Sequence, residues 1–284
     1  MATLREIKTR IKSVKSTQKI TSAMEMIAAA KMKRAQNQAL KGRPYIQKLT
    51  EIIADLLSLS DTPLSHPFLK KRRKINNIAY LFITSNRGLC GAFNSNVIRK
   101  MLEILREKNK TSEIVLTVGK KGRQAMERIG KAVLADFENL SDKPDYLDTI
   151  GISRVLMDDF LDGKLDEVYM VYNHFYSIMS QKPAVKQLLP ITADMTDLKT
   201  RLKRDYIFEP DKQLLLNDLI RRYVETMVYQ TILESIASEH SARMVSMRQA
   251  SDNAEEIVSQ LTLHYNKARQ TKITTQILEV VAGT

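Results

Sequence analysis

Apolar residues along the first 41 positions return in steps of three and four: Leu4, Ile7, Ile11, Val14, Gln18 and Thr21 form one stripe. The same spacing recurs near the other end through Met244, Met247, Ser251, Ala254, Val258, Leu261, Tyr265 and Ala268. A mean spacing near 3.5 residues is the signature of helices that supercoil left-handedly around one another. Both stripes place Gln, Thr, Ser and Ala where a zipper would carry Leu and Ile. They therefore predict a close but weak intrachain pairing of two antiparallel helices.

Glycine and proline sharpen this reading. Neither occurs from Met1 to Lys41 or from Asp211 to Ala282, whereas seven of nine Gly and six of seven Pro lie between Pro63 and Pro210. An uninterrupted stretch from Asp211 to Ala282 predicts one helix of roughly 108 Å. The N-terminal segment predicts a helix of about 60 Å, or a longer one if it continues past Gly42 and Pro44 with a kink.

The middle of the chain has a different pattern. The apolar, β-rich runs NNIAYLFIT (Asn76 to Thr84) and EIVLTV (Glu113 to Val118) read as buried strands, and KAVLADF, DEVYMVYNHFYS and KPAVKQLLPI supply three more. Helical patterns lie between them: Val97 to Leu105, Lys120 to Ile129 and Tyr146 to Phe160. This alternation predicts a Rossmann-like, mostly parallel five-stranded sheet, with its last two strands antiparallel across a short turn near Gln181. The expected fold class is α/β: an antiparallel coiled coil of long terminal helices (1–57 and 208–284) with an inserted sheet domain (75–192).

Composition limits the function. Formal charge is +13, aromatics are 6% and there is no Trp, so an acidic partner is expected: nucleic acid, anionic lipid or protein. Ten Lys/Arg against two Glu before Gly42 concentrate +8 of that charge in the first helix, whereas Asp211 to Ala282 carries eight basic and nine acidic residues. The first helix has neither interleaved aromatics nor Gly-Arg tracts, which disfavours a nucleic-acid-binding coiled coil. With Cys90 the only cysteine, no secretory signal and no long apolar run, the expectation is a soluble cytoplasmic chain.

Chemistry is sparse. TSNRGLCGAFN (Thr84 to Asn94) and VGKKGRQ (Val118 to Gln124) occupy strand-to-helix turns but lack the Walker Lys-Ser/Thr pair and the dinucleotide fingerprint, so neither is expected to bind a nucleotide. His66, His174, His240 and His264 show no metal-ligand spacing, and no hydrolase motif occurs. The expectation is no catalytic, cofactor or metal site.

Several motifs, in order along nearly the whole chain, resemble the gamma subunit of F-type ATP synthases. They are IKSVKSTQKITSAMEMIAAAKMKRAQ (Ile11 to Gln36), TSNRGLCGAFN, DYIFEPD (Asp205 to Asp211), ASEHSARMVSMRQASDNAEEI (Ala237 to Ile257) and LHYNKARQTKITTQILEVVAGT (Leu263 to Thr284). The chain departs from the family at Gln276, where an acidic residue is usual, and in its Ala282-Gly283-Thr284 ending. It also lacks the cysteine pair and transit peptide of chloroplast members, which points to a bacterial source. The resemblance implies a non-catalytic rotor shaft turning inside an alpha3-beta3 hexamer, with a foot on the epsilon subunit and the membrane c-ring. The location implied is the cytoplasmic side of a bacterial cell membrane, peripherally. It assigns beta-subunit contact or coupling to Met24, Lys31, Arg34, Arg269 and Gln270. Contact with the c-ring and epsilon falls to Tyr206 and Glu209. Lys12, Lys15 and Lys33 extend the basic band, and Ile277 to Ala282 form an apolar tip.

Overall fold

The computed structural model describes residues 3–58, 66–107, 112–191 and 211–283. Five α-helices and five strands follow in the order α1 (Leu4–Ser58), β1 (Asn77–Ile83), α2 (Phe93–Glu107), β2 (Ser112–Val118), α3 (Lys120–Arg128), β3 (Val133–Phe137), α4 (Tyr146–Leu161), β4 (Glu167–Ser177), β5 (Ser180–Leu189) and α5 (Lys212–Ala282). The chain divides into two compact units, one of residues 1–30 with 243–284 and the other of residues 31–242.

The long helices start on side-chain caps. At α1, the Thr3 backbone N–H donates to Glu6 Oε2 (2.9 Å) and the Glu6 N–H to Thr3 Oγ1 (3.3 Å), a reciprocal capping box. At α5, Asp211 Oδ2 accepts from the N–H groups of Gln213 and Leu214.

In the larger unit the sheet has strand order β3-β2-β1-β4-β5; only the β4–β5 pair is antiparallel. Its central strand is apolar on both sides because both faces are covered. Ala79, Leu81 and Ile83 enter the core shared with α1, α4 and α5, while Ile78, Tyr80 and Phe82 enter the core under α2 and α3.

Helix α1 runs through Gly42 and Pro44 to Ser58. The three-and-four spacing continues with it, through buried Met32, Ala35, Ala39, Leu49, Ile53 and Leu56. Gly42 falls on this stripe, and a Cβ there would lie 2.6 Å from Gln230 Oε1. Gln230 Nε2 in turn donates to the Ala39 carbonyl (2.6 Å), and Gln38 Nε2 to Tyr229 Oη (2.5 Å), so α1 and α5 are bound together around the proline turn.

In the smaller unit, every residue of the two stripes read from the sequence is half-buried or buried, while most of their neighbours are exposed. Thr21 Oγ1 and Ser251 Oγ share a hydrogen bond of 2.6 Å across the seam.

Candidate functional surfaces

The strand-to-helix turns at residues 84–94 and 118–124 pack on each other. The first-turn N–H groups of α3, which could otherwise cradle a phosphate, are consumed by the other loop. Lys120 N–H donates to Asn86 Oδ1 (2.9 Å), Lys121 N–H to the Ser85 carbonyl (3.1 Å) and Gly122 N–H to Thr84 Oγ1 (2.8 Å). Gly119 makes this closure possible: its φ is +96°, and a Cβ would stand 2.3 Å from the Thr84 carbonyl oxygen. Beyond the C-terminal ends of the paired β1 and β4, Asn173 Nδ2 donates to the Phe93 carbonyl (3.0 Å) and Ser238 Oγ to the Asn173 carbonyl (2.9 Å). That is the position where an open α/β sheet would receive a dinucleotide. Cys90 is buried in the same loop, with Asn94 Nδ2 3.2 Å from its sulfur.

The histidines are dispersed. His66 Nδ1 accepts from the Phe68 N–H (3.1 Å), and burial pushes its pKa down. His174 Nδ1 lies 3.0 Å from Glu234 Oε1. His240 is buried and His264 exposed. Among the described residues no group of His, Cys, Asp or Glu is arranged to hold a metal ion.

What remains is surface. On α1 the side chains of Arg5, Lys8, Arg10, Lys12, Lys15, Lys19, Lys33 and Arg34 are exposed and form no ion pair among the described residues. Lys31 differs, for its ammonium lies 2.5 Å from Asp142 Oδ2 on the segment between β3 and α4. The hydrogen bond from Lys31 holds the Asp142 carboxyl below its ordinary value against the opposing effect of burial, and His240 and Arg87 add to it. Met24 is half-buried on the turn after Thr21.

Carried along the antiparallel helices, the Thr21–Ser251 register places Leu4 opposite Ala268. Past that point α5 extends beyond the start of α1, and every residue from Arg269 to Gly283 is exposed. Arg269 and Gln270 are thus the first residues of the uncovered segment, and Ile273, Ile277, Leu278, Val280 and Val281 present apolar surface along it. Met24 does not lie beside them: Arg269 is 18 residues from Ser251, about 27 Å along the helix. Tyr206 and Glu209 lie outside the described residues.

One feature of the surface escaped the sequence reading. Lys70, Lys71, Arg73 and Lys74 are exposed at the N-terminal end of β1, although KKRRK was legible as five consecutive cations.

The family model described as ATP synthase matches residues 3–284. A protein of Dehalococcoides mccartyi named ATP synthase gamma chain is 50% identical over 284 residues, which cover 100% of this chain and 98% of that one. Among solved structures, the central stalk/c-ring of Tetrahymena thermophila mitochondrial ATP synthase matches with a TM-score of 0.61 and 27% identity, covering 82% of this chain and 99% of that one. A chain of the Euglena gracilis mitochondrial ATP synthase OSCP/F1/c-ring structure matches with a TM-score of 0.66 at 21% identity, over 98% of this chain and 92% of that one, a likeness of fold.

Proposed function

We infer that this chain, which belongs to the ATP synthase gamma-chain family, is the rotor subunit of a central stalk, transmitting torque between ion flow through a membrane c-ring and nucleotide chemistry on beta subunits. The observation that carries the reading is the uncovered end of α5 beyond the start of α1, exposed from Arg269 to Gly283 and rich in apolar side chains. A helix end of that kind suits a shaft seated in a collar supplied by other subunits.

Residues 1–57 and 208–284 form the shaft in this reading, and residues 75–192 the foot. The shaft turns inside an alpha3-beta3 hexamer, and the foot rests on epsilon and the c-ring through the segment containing Tyr206 and Glu209. Contacts on a rotor must break at every step, and exposed ion pairs worth about 0–1 kcal/mol meet that need better than an apolar interface. The exposed cations of α1, Arg34 among them, can pass acidic loops of beta on those terms. Met24 and Lys31 lie on the same helix, while Arg269 and Gln270 present polar groups to beta where the seam ends. The chain contributes no catalytic group; phosphate chemistry belongs to beta. Among the described residues no helix is long and apolar enough to cross a membrane. Its place is peripheral, held by the complex to the cytoplasmic side of a bacterial cell membrane.

Co-expression with the cognate alpha and beta subunits tests this reading. The expected result is a stable assembly containing this chain, with ATPase activity that the chain alone lacks. Failure to co-purify, or an alpha-beta activity indifferent to the chain, would overturn it.

A further inference from the structure

The chain between β3 and α4, residues 138–145, is fastened to its neighbours at several points within the larger unit. At its start, Asn86 Nδ2 donates to the Glu138 carbonyl (2.9 Å) and Arg123 of α3 pairs with Glu138 Oε1, which ties it to the strand-to-helix turns of the sheet. Leu140 packs on the core shared with α4 and α5. Asp142 Oδ2 then meets the Lys31 ammonium of α1 (2.5 Å). Tyr146, the first residue of α4, donates from its hydroxyl to Glu225 Oε2 of α5 (2.7 Å), and Glu225 is buried. The Tyr146 ring lies edge-on to Tyr229, whose hydroxyl accepts from Gln38 of α1 (2.5 Å). Helix α1 is thus held directly at Lys31 and, through Tyr229, at Gln38, about 10 Å apart along its axis.

The packing along this stretch explains why polar fastening is needed. The stripe positions of α1 here are Met32, Ala35, Ala39 and Gly42, so all but the first carry no more than a methyl group. Small side chains let helices approach closely but give shallow ridges, which resist the turning of one helix about its own axis less than interlocked Leu or Ile would. Lys31 stands out against this background. Among the described residues it is the one cation of residues 4–34 that forms an ion pair. Arg87 and His240 favour the charged form of the same Asp142 carboxyl, so the acid is set in a positive surround with Lys31 as its nearest partner. The resemblance assigned Lys31 to beta; the geometry engages it within the chain.

We propose that Lys31 and Asp142 are a positioning pair that fixes the angular setting of α1 on the sheet domain, so that torque passes between foot and shaft without slip, and that Lys31 serves this contact rather than one with beta. The proposal rests on the central-stalk reading. Rotation applied to the sheet domain reaches α1 through whatever keeps the helix from turning or sliding against it. A contact at the end of a long side chain acts farther from the helix axis than an alanine methyl does, and so opposes twisting with a longer lever. With side chains 38% and 44% exposed, the pair contributes little to folding, and its loss should leave the chain folded. Its effect belongs to the transmission of motion.

The test uses membranes carrying the assembled complex and reads the ratio of ion-driven ATP synthesis to ATP hydrolysis. K31Q and D142N should each lower that ratio about twofold or more, and the double variant should lose no more than either single one. K31R and D142E, which keep the charges, should hold most of the wild-type ratio. A loss in K31Q with a wild-type ratio in D142N would return Lys31 to a beta contact and overturn the proposal. So would additive losses in the double variant, no loss in either single one, or equal losses in K31R and D142E. Assembly and ATPase activity of the wild-type complex report separately on the central-stalk reading. If the wild type itself fails to assemble, that reading falls and the torque role with it. The pairing is still read by hydrogen exchange on the free chain, where amides of residues 139–145 should exchange faster in K31Q and in D142N, with no further gain in the double variant. Unchanged exchange there would overturn the pairing as well.

Discussion

Asp166 ties together three pieces of the larger unit, accepting from Asn76, Asn77 and Arg72 with only 9% of its side chain exposed. Burial alone would raise its pKa, but the two backbone N–H groups and the Arg72 charge outweigh it and hold the carboxyl below its ordinary 3.8. A carboxyl depressed in the folded state stabilises the fold above its unfolded pKa, and that contribution is lost as pH falls through the lower folded value. Asp166→Asn should therefore cost about 1–2 kcal/mol at neutral pH, and its deficit against wild type should shrink as acid protonates the native carboxyl. Urea unfolding of both proteins across that range measures this; a deficit independent of pH would contradict it. At this scale the sequence was partly legible. It marked Gly119 and Gly122 as a strand-to-helix turn without the fingerprint of a phosphate loop. It could not show that Thr84, Ser85 and Asn86 occupy the α3 amides, because those partners lie more than 30 residues away and belong to a different turn.

Among the elements, the stripes were the most readable feature, because a half-buried helix pair imposes its period on every position it covers. Gln18, Thr21 and Ser251 kept their places in the seam despite being polar, and two of them bond to each other. Gly42 and Pro44 left open whether α1 stops near Lys41 or runs on to about residue 57. Both are helix breakers by propensity, yet the glycine occupies a stripe position where only a small residue lets Gln230 approach, and Gln230 bonds to the carbonyl of Ala39 on the adjoining turn. Packing thus carried α1 to Ser58. The seam's other limit, at Ala268, gives Arg269 and Gln270 their proposed role. Exposed and outside the seam, they can change without disturbing the fold. Arg269→Ala with Gln270→Ala should change the unfolding free energy of the free chain by less than about 0.5 kcal/mol. The assembled complex should form but lose at least half of its coupled turnover. Wild-type synthesis rates in membranes carrying the double variant would remove these residues from the coupling contact.

Taken whole, the chain joins two units that bury apolar surface to unequal extents. The larger unit buries apolar side chains on both faces of its sheet, among them Tyr80, Phe82, Leu81, Leu116 and Met101. The smaller unit relies on a single seam, in which Met247 and Ala254 are buried and most other stripe positions only half so. Amides leave protection according to how much buried surface their local opening breaks. Hydrogen exchange on the free chain should therefore be slowest in β1, β2 and β4, faster in residues 4–30 and 243–268, and fastest from Arg269 to Gly283. Assembly with alpha and beta should reverse the order at that last segment, because a collar closing on an exposed apolar helix removes its route to solvent exchange. If residues 269–283 were already as protected in the free chain as the sheet, the helix end would not be the open surface that a shaft tip requires. If instead they exchanged equally fast in free chain and complex, no collar would grip them, and the rotor reading would lose the observation that carries it.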